Sequence, residues 1–104
     1  MNRMTRSAAA TLLSLSAAVP AMADAVPRAL VGDWDCGATR LVITRLGSIE
    51  VVGGAYRAGL FEARGAVLDV TWDSGGTARL TAAREGERLR VEGLGAPLDC
   101  TARR

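Results

Sequence analysis

The stretch VLDVTW, residues 67–72, alternates without a break: Leu68, Val70 and Trp72 fall on one side of an extended chain, Asp69 and Thr71 on the other. A period of two belongs to a β-strand with one face buried and one in water. The same test, carried outward along the chain, turns Ala78, Leu80 and Ala82 inward, then Leu89 and Val91, then Leu98 and Cys100. Upstream, Leu41 and Ile43, and then Ile49 and Val51, keep the pattern. The segment from Tyr56 to Arg64 is less regular, because Leu60 and Phe61 are adjacent, and this predicts a bulge or bend there.

Glycines separate these runs, at Gly47, Gly53-Gly54, Gly65, Gly75-Gly76, Gly86 and Gly93. They recur at roughly the 8 to 12 residue spacing of an antiparallel meander. No window after residue 24 sustains apolar residues at helical spacing, so no helix is expected. The reading gives eight strands: Leu30 to Cys36, Arg40 to Arg45, Ser48 to Val52, Tyr56 to Ala63, Val67 to Trp72, Thr77 to Ala83, Arg88 to Glu92, and Leu98 to Ala102. Eight short strands with tight connections close into an all-β up-and-down barrel, which leaves no exposed edge. A two-sheet sandwich is the alternative. A barrel of this size is filled by side chains or holds one small ligand, and strands this short favour the filled form.

The first strand carries GDWDCG, residues 32–37, which places two carboxylates, a tryptophan and a cysteine within six residues. Alternation separates them. Trp34 and Cys36 face inward with Leu30, whereas Asp33 and Asp35 face water. Trp72 also reads as core. Asp33 and Asp35 do not make a calcium site, since hard cations want six or more oxygens and no acidic loop of the required pattern follows.

Before the barrel, Arg3 and Arg6 precede an apolar run from Ala8 to Val19, then Pro20 and Ala21-Met22-Ala23. This is the pattern of a secretory signal peptide, with cleavage expected after Ala23 and a single domain over residues 24–104. The run is shorter than the roughly 20 apolar residues of a spanning helix, and no cysteine stands near the cleavage point to take a lipid. The expected location is therefore periplasmic or secreted, with no stable membrane anchor after cleavage. Export and an even cysteine count pair Cys36 with Cys100, 64 residues apart. In the chain-entropy model such a loop contributes roughly 4 kcal/mol, a large share of the stability of a small domain.

Without Arg3 and Arg6 the 13 arginines fall to 11, matching the 11 acidic residues. Balanced charge with scattered arginines offers no basic stripe for nucleic acid. Arg103 and Arg104 read as a frayed, solvated end. The chain has no histidine and no lysine, which removes serine–histidine, cysteine–histidine, Schiff-base and histidine-ligated metal chemistry. A domain this small also offers little cleft for a carboxylate pair. No enzyme activity, cofactor or metal is expected.

Attention therefore moves to the loops. The hairpin Trp72-Asp73-Ser74-Gly75-Gly76-Thr77 puts Ser74 at a tip followed by two glycines that permit close backbone approach. Here the chain resembles the periplasmic and membrane-bound inhibitors of C-type lysozyme. The resemblance rests on Trp34-Asp35-Cys36, on a closing cysteine at Cys100, and on Trp72 before a turn and an alternating strand. It implies an eight-stranded antiparallel barrel that binds a protein through its loops. The family's turn carries a lysine that meets the lysozyme's catalytic carboxylates, where this chain has Ser74. Its Ser-Gly-x-x-Tyr loop has Val52-Gly53-Gly54-Ala55-Tyr56 as the nearest counterpart. The opening Leu30 to Trp34 is also similar to the first strand of lipocalin-like barrels.

Tyr56, Arg57, Asp73 and Ser74 are accordingly the candidate binding residues, and the expected partner is C-type lysozyme or another envelope protein. Two other functions stand beside this one. One is a carrier of a small apolar ligand lined by Trp34, Phe61, Trp72 and the inward leucines. The other is an envelope-associated structural module without catalysis.

Overall fold

A computed structural model describes residues 25–103; the expected signal peptide and Arg104 lie outside the described residues. The chain enters through one turn of 3₁₀ helix, Arg28–Leu30, and continues into eight strands. They are β1 (Gly32–Cys36), β2 (Thr39–Ile43), β3 (Ser48–Val52), β4 (Arg57–Arg64), β5 (Val67–Trp72), β6 (Thr77–Glu85), β7 (Arg88–Glu92) and β8 (Leu98–Ala102). Each pairs antiparallel with its neighbours in sequence, and β1 pairs with β8, which closes an up-and-down barrel. The barrel expected from the alternation is thus the fold, and the sandwich is not.

The two-residue period decides what fills it. Trp34, Leu41, Leu68, Leu80 and Leu89 all point to the axis and expose 1% or less of their surface. Phe61 and Trp72 are buried beside them. Outward positions carry charge: Arg40 grips Asp33 through Nε to Oδ1 at 2.8 Å and Nη2 to Oδ2 at 2.5 Å. Asp35 accepts the Gly37 N–H at 3.1 Å. Arg79 and Arg64 both reach Asp69, at 2.9 and 3.5 Å, and Arg90 reaches Asp99 at 3.0 Å.

Four expectations change. The chain at Leu30 is not yet strand: Leu30 N–H donates to Pro27 O at 3.0 Å, turning the chain so that Leu30 is buried and its carbonyl accepts Trp34 Nε1–H at 3.0 Å. That short 3₁₀ turn is also helix where none was expected. Leu60 and Phe61 require no bulge, because the register runs unbroken from Gly59 opposite Trp72 to Arg64 opposite Val67. Leu60 simply faces out, 63% exposed, while Phe61 faces in. Finally, Arg103 is tied down, its N–H donating to Asp33 O at 2.8 Å and its Nε 3.7 Å from Asp33 Oδ1.

The closing seam is short. β1 and β8 share two register pairs, Trp34 with Ala102 and Asp35 with Thr101, against five between β1 and β2. The next position brings Cys36 opposite Cys100, and the two are joined by the expected disulfide with Cα atoms 4.0 Å apart. The covalent link therefore lies where the hydrogen-bonded ladder is thinnest.

Candidate binding rim

Odd-numbered connections leave the strands at one end of the barrel, here called upper. They are residues 37–38, 53–56, 73–76 and 93–97, and Asp73 is the one charged residue among them. The lower connections, 44–47, 65–66 and 86–87, carry Arg45 and Glu87 and stand beside Arg28 and Arg103. Up-and-down connectivity thus brings the two candidate loops, separate in sequence, to the same rim.

The loops touch through their bases. Asp73 N–H donates to Ala58 O at 2.8 Å, fastening the β5–β6 turn to the start of β4. Within the turn, Gly75 N–H bonds Trp72 O and Trp72 N–H bonds Gly76 O, both at 3.0 Å. Gly75 and Gly76 have φ of 104° and 89°, conformations that side chains rarely adopt. On the neighbouring loop Gly53 has no room for a Cβ, which would strike Ala38 O of the β1–β2 connection. The rim is held by backbone contacts between adjacent loops.

Tyr56 precedes β4 and does not belong to it. It is 59% exposed, and its phenol donates to Glu50 Oε2 at 2.5 Å. That bond, with the partial loss of water and the nearby charges of Glu50 and Asp73, raises the phenol's pKa above its ordinary value of 10.0. Asp73 and Ser74 are exposed at the turn.

Arg57 differs from the other three. It lies opposite Val51 and in phase with Gly59 and Phe61, so it issues from the inward face of β4 at the barrel mouth. Its guanidinium stacks 4.8 Å from the centre of the Trp72 ring. Among the described residues it meets no carboxylate, in contrast to Arg40, Arg64, Arg79, Arg90 and Arg103. Beside it opens a depression of about 390 Å³ walled by Val51, Ala55, Leu94 and Leu98, with Thr39 and Gly53 at its edge. A larger one, about 850 Å³, runs along the outside of β4 to β6 under the exposed Leu46 and Leu60.

No protein-family model, curated protein or solved structure matches this chain.

The alternation of the strands had placed Trp34, Trp72 and the cysteines correctly. It had also contained the signal for the mouth, since counting back from Phe61 by twos reaches Arg57, a charge at an inward position. The part played by Leu94 and Leu98 was not readable without the register that carries the β7–β8 connection over the mouth. Glu50 as the partner of Tyr56 follows from its outward position on the strand preceding the loop.

Proposed function

We propose that this chain is an exported protein-binding module that works through the upper rim of its barrel, in the manner of a lysozyme inhibitor. The observation that carries this reading is the joining of two loops from different hairpins into one surface. The loop of Tyr56 and the turn of Ser74 share a rim, fastened by the Asp73 to Ala58 bond and by the Arg57–Trp72 stack. A surface ordered before binding loses little entropy when a partner docks. An exposed tyrosine amid loops with a single charge suits the centre of such an interface, where aromatic and arginine anchors dominate.

The lysozyme type is supported by the cysteine placement and by the tryptophan that opens the β5–β6 turn. Ser74 supplies no positive charge, but Arg57 stands next to that turn on Trp72 and offers one. The disulfide agrees with an oxidising, exported setting. A carrier role is less well supported, because the axis is occupied by Trp34 and the inward leucines.

The test is an assay of C-type lysozyme with the purified, disulfide-bonded protein. Inhibition is expected, and it is expected to weaken in Tyr56→Ala and Ser74→Ala with the barrel still folded. Full lysozyme activity at micromolar protein would rule out the inhibitor reading. Capture of a different envelope protein, lost in Tyr56→Ala, would change the partner and keep the rim.

A further inference from the structure

We propose that the upper mouth of the barrel receives the C-terminal residue of a partner protein, an aliphatic residue whose carboxylate pairs with Arg57 and whose side chain enters the depression beside Val51, Leu94 and Leu98. The inference rests on the upper rim being a protein-binding surface and holds whichever envelope protein docks there.

Arg57 is the starting point. It is half-buried and inward-directed, and no acid among the described residues answers its charge. Its Cζ lies over the Trp72 ring, 4.8 Å from the centre, which holds the guanidinium at the mouth. With no carboxylate on it among the described residues, its planar fork of N–H groups can make the paired hydrogen bonds that a carboxylate accepts. The site is thus complementary to a single negative charge.

The remaining walls select what carries that charge. Val51, Ala55, Leu94 and Leu98 are apolar, and about 390 Å³ lies at the low end of the range for small-ligand sites. The occupant must bring a carboxylate and an aliphatic group from nearly the same atom. Aspartate and glutamate side chains do not, because their carboxylates end chains that carry no separate aliphatic branch. A C-terminal leucine, isoleucine or valine does, since carboxylate and side chain leave the same Cα. Capture of a terminal carboxylate is a recurrent mode of peptide recognition.

Loop packing keeps the mouth shaped for this. Gly53 sits against the β1–β2 connection with no space for a side chain. Leu94 and Leu98 pack on the buried core from the β7–β8 side. The pocket walls therefore come from strands or loops that the core already holds.

The experiment uses the full chain expressed for export, purified with its disulfide formed and labelled with nitrogen-15. Three probes are titrated by NMR: N-acetyl-alanyl-leucine, its C-terminal amide, and free 4-methylpentanoate. The peptide acid is expected to shift the Arg57 Nε–H and the amides of Gly53, Ala55 and Leu94. The amide is expected to bind at least roughly tenfold more weakly, as loss of a charged hydrogen-bond acceptor implies. Arg57→Gln is expected to erase the difference between acid and amide while the barrel stays folded, its unfolding midpoint lowered only by the loss of the Trp72 contact. Equal binding of acid and amide, shifts confined to other surfaces, or no shift at all would overturn the proposal. Binding of 4-methylpentanoate without the peptide would overturn it in favour of a small-molecule site. Lysozyme or envelope-protein binding that needs Tyr56 but ignores all three probes would remove this inference and leave the rim as a docking surface.

Discussion

Both mouths of the barrel hold an arginine that lies over a tryptophan ring, yet only the lower pair is hydrogen-bonded to backbone carbonyls. At the lower end Arg84, in phase with Leu80 and Ala82, stacks 5.2 Å from the Trp34 ring. Its Nη1 donates to Ala29 O at 3.1 Å and its Nε to Gly86 O at 2.7 Å, while Trp34 Nε1 donates to Leu30 O. The 3₁₀ turn closes that mouth. At the upper end Arg57 lies over Trp72 beside an open depression, in loops whose one charged residue is Asp73. The same chemical pair is a plug in one place and an available cation in the other. The difference lies in the Ala29 and Gly86 carbonyls that Arg84 reaches.

The largest effect is expected at the seam on which both mouths depend. Replacing both Cys36 and Cys100 by alanine should lower stability by about 4 kcal/mol in urea unfolding. A loss under about 1 kcal/mol would mean that the two β1–β8 register pairs close the barrel without the link.

The two arginines should then separate. Arg84→Ala loses a stack and two hydrogen bonds to carbonyls and should cost about 1–2 kcal/mol. Arg57→Ala loses a stack alone and should cost about 0.5–1 kcal/mol. Equal losses would show that the upper arginine is as structural as the lower one.

A finer test uses the single tyrosine, whose titration can be followed by absorbance without interference from another. Tyr56 should ionise above its ordinary value of 10.0 because Glu50 holds its proton. Since the folded value is the higher one, the bond's contribution is complete below pH 10 and disappears as pH rises through the raised pKa. Glu50→Gln should bring the midpoint down towards the ordinary value. No change would mean that the rim tyrosine is not held by Glu50 in solution.

The smallest effect belongs to the outer wall. Asp33 is held below its ordinary 3.8 by its hydrogen bonds from Arg40, and Asp69 below the same value by Arg79 and then Arg64. Their folded values are the lower ones, so what they contribute is present above about pH 4 and fades as pH falls through the depressed pKa. Asp33→Asn and Asp69→Asn should each flatten the acid side of a plot of unfolding midpoint against pH, slightly, as exposed ion pairs do.

Much of this architecture was legible because it depends on a period of two and on glycine placement. Leu68, Val70 and Trp72 could face only one way, and the even cysteine count in a chain expected to be exported led to the Cys36–Cys100 link. Leu60 and Phe61 were misread because adjacency was taken for irregularity, when an outward leucine satisfies alternation without a bulge. The turn at Leu30 was hidden for a different reason: a strand-like pattern there served tertiary capping of Trp34. At the rim, Ser74 was singled out from turn chemistry and Tyr56 from the resemblance to lysozyme inhibitors, but their meeting required the up-and-down order. Arg57 was counted both in the strand from Tyr56 to Ala63 and among the loop binding residues, although its phase already set it inside the mouth. Its stack on Trp72 depends on the β4–β5 register, which no local window contains.

The measurement that bears most directly on the upper mouth as the working end is an NMR footprint. C-type lysozyme is titrated into the nitrogen-15-labelled, disulfide-bonded protein, and the shifted amides are placed on the barrel. The expected result is a footprint over residues 53–57 and 73–76 that disappears in Tyr56→Ala. A footprint at residues 44–47 and 86–87, or no shift with the barrel folded, would contradict it.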